Sequence, residues 1–68
     1  MSPTPKQMGK RIRTLRKRLR LSRQELATKA HVSREYIRKL EAGGYDPTVG
    51  TLQRIAKALG VPVTELLG

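Results

Sequence analysis

Several residue types that mark common protein classes are missing from this chain of 68 residues. It has no cysteine, which excludes a disulfide framework and a thiolate metal site. It has neither tryptophan nor phenylalanine, and no run of apolar residues is longer than two, so no segment resembles a signal peptide or is suited to span a membrane. A chain of this length is expected to form one small domain, and its hydrophobic content of 37% lies above the range typical of disorder.

Acidic residues are also scarce. Five Asp and Glu stand against fifteen Lys and Arg, for a net charge of +10. Nine of these cations lie within the first 23 residues, where no acid occurs. Such a chain repels itself, so its charge is better explained by a polyanionic partner than by folding. Nucleic acid is the leading candidate, an anionic membrane surface the second and an acidic protein the third.

The spacing of the apolar residues predicts an all-α fold of five short helices. Thr4 and Gln7 form a capping-box pattern at the start of the first helix, which is predicted over residues 5–20. Residues 1–4 are predicted to be a flexible arm, and residues 5–68 to be the folded domain. The inner face of the first helix is marked by apolar residues that recur at intervals of three and four, namely Met8, Ile12, Leu15 and Leu19.

Cap residues mark the starts of the later helices. Ser22, Ser33 and Thr48 precede the second, third and fourth helices, and Pro62 is predicted to open the fifth. Glycines follow the third and fourth helices, where a helix commonly ends. The inward sides of helices 2 to 4 are predicted to hold Leu26, Ala27 and Ala30, then Ile37 and Leu40, then Leu52, Ile55, Ala56 and Leu59.

Residues 23–40 have the order helix, three-residue break, helix, which is the arrangement of a DNA-reading helix-turn-helix. Ala27 is small where a crossing helix would pack most closely. His31 falls in the turn, where the backbone is expected to need a positive φ. His is among the few non-glycine residues enriched in that conformation.

Short motifs in a fixed order extend this pattern from Ile12 to Leu67, more than three-quarters of the chain. They are Leu15-Arg16, Leu21-Ser22-Arg23-Gln24-Glu25-Leu26-Ala27, Val32-Ser33, Leu40-Glu41, Pro47-Thr48, Leu59-Gly60-Val61 and Glu65-Leu66-Leu67. In these motifs the chain resembles the phage lambda repressor and Cro-like helix-turn-helix family of small bacterial and phage transcriptional regulators. The resemblance implies a helix-turn-helix made of helices 2 and 3, with residues 33–41 in the major groove of double-stranded DNA. The chain departs from the family pattern at His31, usually a glycine, and at Arg23, often a phosphate-contacting glutamine.

The third helix carries the side chains suited to reading bases. Ser33, Ile37 and Leu40 are predicted to face inward, and the remaining polar side chains outward or to the side. Arg and Lys commonly bind guanine, and Glu accepts a hydrogen bond from cytosine. A simpler alternative is that Glu35 forms surface ion pairs with Arg38 and Lys39. The residues that the resemblance assigns to base contacts are Ser33, Arg34, Glu35, Arg38 and Lys39.

A second group is suited to phosphate contacts. Helix 1 has cations at spacings of four, such as Lys6 and Lys10, which destabilise a helix unless an anion is bound. Tyrosine hydroxyls and backbone N–H groups also commonly contact phosphates. The predicted phosphate contacts are Lys10, Arg11, Ser22, Arg23, Gln24, Tyr36, Gly44 and Tyr45.

Two further predictions concern structure and assembly. Arg16 and Glu41 are expected to form a partly buried ion pair between helices 1 and 3, because relatives have a pair at these positions. Val63, Leu66 and Leu67 form an apolar cluster at the end of the chain, which is predicted to pair two copies about a two-fold axis. A monomer in which the same residues complete the core is the alternative. A dimer would place two recognition helices about 34 Å apart on an inverted repeat.

Other functions fit the sequence less well. An enzyme is not expected, because His31 is the only histidine and the five acids form no obvious cluster; no cofactor or metal is predicted either. A membrane-surface peptide would need aromatic anchors that helix 1 lacks. A restriction-modification controller or antitoxin, which binds DNA and also a protein partner, remains the main alternative. The protein is expected to be encoded by a bacterium or a phage. Its predicted location is the bacterial cytoplasm, in association with the nucleoid.

Overall fold

The computed structural model describes residues 3–68, which contain five helices and no strand, so the predicted all-α fold is confirmed. The helices are α1 (Pro5–Arg18), α2 (Arg23–Ala30), α3 (Arg34–Glu41), α4 (Val49–Leu59) and α5 (Thr64–Leu67). Within the same residues, no helix is long and apolar enough to cross a membrane.

The helix starts lie at the predicted caps. The capping boxes of Thr4 with Gln7 and of Ser22 with Glu25 are both formed. The Ser33 and Thr48 hydroxyls likewise accept a hydrogen bond from the backbone N–H three residues later. The predicted arm falls partly outside the described residues, since it includes residues 1 and 2, and its last residue is the N-cap of α1.

The end of α1 differs from the prediction. The helix stops at Arg18, and Arg20 adopts a positive φ of 57°. The Arg20 N–H bonds to the Lys17 carbonyl and the Leu21 N–H to the Arg16 carbonyl, which closes the helix. Leu19 therefore leaves the helical face on which it was predicted, and half of its surface is exposed.

One apolar core joins all five helices. The apolar residues predicted to face inward on α2, α3 and α4 are all buried, as are Met8 and Ile12 of α1. The core packs α2 against both α3 and α4, and α1 against α3 and α5. This packing covers the inner side of the helix-turn-helix. Among residues 3–68, no other element covers the outer side of α3.

The turn between α2 and α3 has the predicted conformation. His31 has φ 57° and ψ 43°, in the left-handed region. This conformation directs the Val32 N–H to the Ala27 carbonyl, at 3.0 Å, and ends α2 within one residue.

The prediction for α5 requires a correction. Leu66 is fully buried in the core, so it is not exposed to a neighbouring molecule. The helix begins at Thr64 and not at Pro62, and its single turn directs Leu66 between α1 and α4. Of the predicted apolar cluster, Val63 is half-buried against the core and only Leu67 is exposed.

Candidate nucleic-acid interface

The outer side of α3 presents four charged side chains to solvent. Ile37 and Leu40 on the opposite side are buried in the core, which fixes the orientation of the helix. Ser33 was predicted to face inward and is instead exposed, because its hydroxyl accepts the Tyr36 N–H as the N-cap, at 3.0 Å. The exposed charged side chains are Arg34, Glu35, Arg38 and Lys39.

Glu35 and Arg38 are paired on this surface. The Arg38 Nε lies 3.0 Å from each Glu35 carboxylate oxygen, and one terminal nitrogen donates to Oε1 at 2.6 Å. This hydrogen bonding lowers the pKa of Glu35 and raises that of Arg38. Arg38 is therefore paired with a carboxylate of its own helix, as in the surface-pair alternative.

The N-terminus of α2 borders a basic cleft of about 370 Å³. The Ser22 hydroxyl accepts the Glu25 N–H at 3.0 Å, and hydrogen bonds from Ser22 lower the pKa of Glu25. The Gln24 amide donates to the Thr28 hydroxyl at 3.1 Å and so lies along α2. The cleft is lined by Arg16, Ser22, Arg23, Gln24 and Arg34.

A buried carboxylate joins this cleft to the core. Arg16 donates to both oxygens of Glu41, at 2.6 and 3.1 Å, and also to the Leu21 carbonyl at 2.8 Å. Arg23 donates its Nε to the same carboxylate at 3.1 Å, although 40% of its side chain is exposed. Two guanidinium groups share one carboxylate, which leaves a net positive charge at the start of α2.

The loop after α3 is anchored by two aromatic rings. Tyr36 and Tyr45 are stacked, with ring centroids 5.0 Å apart, and the Lys39 Nζ lies 6.0 Å from the centroid of Tyr45. Burial raises the pKa of Tyr36. Tyr45 is more exposed, so its hydroxyl is the more accessible of the two to an external acceptor.

Gly44 has no free amide for a phosphate. Its N–H donates to the Lys39 carbonyl at 2.9 Å, and Gly43 before it has φ 84°. These two glycines close the C-terminus of α3, so the predicted phosphate contact from the Gly44 backbone N–H does not fit the structure.

The two cations of α1 that are predicted to contact phosphates, Lys10 and Arg11, have different surroundings. Lys10 is exposed, whereas Arg11 donates to the Leu66 carbonyl at 3.3 Å. Both residues border a cleft of about 610 Å³ between α1 and α5, but only Arg11 is hydrogen-bonded to the backbone of α5. Arg11 therefore stabilises the last helix and is not directed to the side where α3 is exposed.

Gly9 has a role that the sequence analysis missed. It is buried where α1 crosses the end of α3, and a Cβ there would overlap the Leu40 carbonyl oxygen and lie 2.8 Å from that of Glu41. Its position between Met8 and Ile12, on the edge of the apolar face, was the available signal. The close approach allows Arg16 to reach Glu41.

The helix-turn-helix family model matches residues 12–66, from the middle of α1 to the end of α5. The chain belongs to the helix-turn-helix family. Its resemblance to the lambda repressor and Cro-like regulators is thereby confirmed.

Curated relatives in this family include a phage repressor. The chain is 39% identical over 61 residues to the immunity repressor protein of Bacillus phage phi105, covering 90% of this chain and 42% of that protein. It is 37% identical over 62 residues to the HTH-type transcriptional regulator y4dJ of Sinorhizobium fredii, covering 91% of this chain and 80% of that one. The chain thus spans less than half the length of the phage repressor.

Solved helix-turn-helix structures have the same fold. The restriction-modification controller protein C.AhdI of Aeromonas hydrophila superposes with a TM-score of 0.90 at 28% identity, covering 93% of this chain and 96% of that one. The DNA-binding domain of the P22 c2 repressor superposes with a TM-score of 0.85 at 32% identity, covering 87% of this chain and 78% of that one.

Proposed function

We propose that this helix-turn-helix chain is a sequence-specific, double-stranded-DNA-binding transcriptional regulator, with α3 in the major groove. The observation that carries the proposal is the exposed outer side of α3, which presents four charged side chains and is covered by no other element of residues 3–68, in a chain of charge +10. An α-helix fits the major groove, where each base pair presents a distinct pattern of donors and acceptors.

The structure supports a division of roles among the polar residues. Arg38 and Glu35 lie together on the exposed face and are proposed as base-reading residues, with Arg34 and Lys39 beside them. Arg23 is proposed as a phosphate contact, because Glu41 fixes its Nε and its partly exposed side chain lines the basic cleft. Tyr45 is proposed to donate its hydroxyl to a second phosphate.

The first experiment is selection of bound duplexes from a random pool. The wild-type chain should enrich one sequence. Arg38→Ala should lose about 1–3 kcal/mol on that sequence and little on random DNA, because a good base contact contributes about that much. Lys57→Ala removes one charge from α4 and serves as the matched control. Equal losses on specific and random DNA would reassign Arg38 to the phosphate backbone.

The second experiment measures affinity against salt. The logarithm of the binding constant should fall linearly with the logarithm of salt, by about 0.9 per phosphate contacted. Arg23→Ala should weaken all sequences alike and reduce the slope by about one unit. A wild-type affinity independent of salt would remove the electrostatic basis of the proposal.

We also propose that two copies bind an inverted repeat as a dimer. A single helix-turn-helix reads few base pairs, and two copies on half-sites about 34 Å apart would supply the missing specificity. With Leu66 buried, the contact would rest on exposed Leu67 and half-buried Val63. Analytical ultracentrifugation with a palindromic duplex tests this, and one copy per duplex at saturation would overturn it.

The likeness to C.AhdI favours one alternative, a restriction-modification controller acting on DNA in the cytoplasm. Locating the selected sequence in the genome that encodes this chain distinguishes the two functions. A controller predicts sites before genes for a restriction enzyme and its methyltransferase. A phage-type repressor predicts sites before genes of a prophage.

A further inference from the structure

One edge of α1 carries cations only. Lys6, Lys10, Arg13 and Lys17 follow one another at intervals of four, three and four residues, and all four are exposed. At 100° per residue they lie within about 60° of one another around the helix, and the row is about 16 Å long. We call these four residues the α1 stripe.

The α1 stripe lies on the side of α1 nearer to α3, although Lys10 also lines the cleft with α5. Gly9, which touches the end of α3, lies on the side of α1 adjoining the stripe. Lys6 itself lies beside the loop after α3, where a Cβ on Gly43 would be 2.9 Å from the Lys6 Cα. Arg11 and Arg18 belong to the other edge of α1 and line the cleft with α5. The stripe therefore extends the exposed basic surface beyond the end of α3.

Helix stability does not account for this row. Lys6–Lys10 and Arg13–Lys17 are like-charge pairs four residues apart, which destabilise a helix. Lys6 also lies in the first turn of α1, where the helix dipole disfavours a cation and no acid is present. Among residues 3–68, the four side chains of the stripe form no ion pair. An external row of anions would remove the repulsion.

We propose that the α1 stripe binds phosphates of the same duplex that α3 reads, outside the base pairs that α3 covers. The inference rests on the proposed DNA-binding function and adds a second contact surface to it. A stripe of about 16 Å matches the length of about five base pairs, which carry about ten phosphates. A membrane is the poorer partner, because the apolar residues Met8 and Ile12 of α1 are buried in the core and cannot enter a bilayer.

The test compares two doubly substituted proteins with equal net charge. Arg13→Gln/Lys17→Gln removes half of the stripe, and Arg18→Gln/Lys57→Gln removes two exposed cations elsewhere. Each protein is titrated on a long duplex that contains the selected site and on one trimmed to the base pairs under α3. Circular dichroism of all proteins verifies that they are folded.

The expected result separates the two proteins. On the long duplex the stripe variant should lose about two units of salt slope, since each phosphate contact contributes about 0.9, whereas the control should keep the wild-type slope. Trimming should weaken the wild type and the control more than the stripe variant, which keeps only Lys6 and Lys10. Phosphate ethylation should interfere with wild-type binding at positions outside the trimmed site.

Three results would overturn the inference while the proposed function stands. They are equal slopes for the two variants, a wild-type affinity that does not change on trimming, and a stripe variant that binds DNA normally but loses binding to phosphatidylserine vesicles. Failure of the wild-type chain to bind any duplex would instead overturn the proposed function.

Discussion

Arg16 donates two hydrogen bonds to Glu41 across the crossing of α1 and α3, and both side chains are buried. Because Arg23 also donates to Glu41, the carboxylate links the first three helices at one point. A buried ion pair contributes little compared with an apolar pair of the same size, but removing one partner leaves an uncompensated charge.

Glu41→Leu is expected to lower the free energy of unfolding by about 3–5 kcal/mol, because it leaves Arg16 buried without its carboxylate. Arg16→Met/Glu41→Leu should recover much of that loss. Arg23→Gln, at a partly exposed position, should cost less than about 1 kcal/mol. Urea unfolding of the three proteins measures these differences, and equal costs for Glu41→Leu and the double variant would contradict a buried charge as the cause.

Gly9→Ala is expected to destabilise the fold by about 1–3 kcal/mol, because the added methyl group overlaps backbone carbonyls that cannot rotate away. Gly50→Ala is the matched control, since Gly50 lies in α4 and a Cβ there meets nothing within 4 Å. The control should stabilise the protein by about 0.5–1 kcal/mol through helix propensity. Thermal unfolding that showed the same sign for both substitutions would disprove the close approach of α1 to α3.

His31→Gly should stabilise the protein by about 0.5–1 kcal/mol, because the left-handed conformation costs less for glycine than for a residue with a Cβ. His31→Val should destabilise it, since branched side chains are poorly tolerated at positive φ. The His31 side chain is exposed, so neither change removes core packing. Chemical unfolding measures both, and a destabilised glycine variant would contradict this account of the turn.

The Glu35–Arg38 pair should give stability a pH dependence below neutrality. Hydrogen bonding to Arg38 lowers the pKa of Glu35 from its usual value, so the pair stabilises the folded state at neutral pH. That contribution should disappear as the pH falls through the lowered pKa, because protonation removes the charge. NMR titration of the Glu35 carboxyl group should show its pKa rise in Arg38→Gln. An unchanged value would mean that the pair is absent in solution.

The sequence predicted best those features that depend on neighbouring residues. Thr4 and Gln7 form a capping box within four residues, and His31 sets the turn by its own backbone conformation. The burial of Leu66 and the contact of Gly9 with the end of α3 depend on how helices distant in sequence pack together. Arg23 was predicted from its position in the motif, but its bond to Glu41 appears only when α2 and α3 are folded together.

The α1 stripe also sets opposite responses to salt for folding and for binding. In the free chain, added salt screens the repulsion among its four cations, so the free energy of unfolding should rise with ionic strength. Affinity for DNA should fall over the same range, because releasing the counterions of the duplex into a more concentrated salt solution is less favourable. The melting temperature of the free protein and that of its DNA complex should therefore converge as salt is added. At low salt the duplex itself would act as the main stabiliser of the fold.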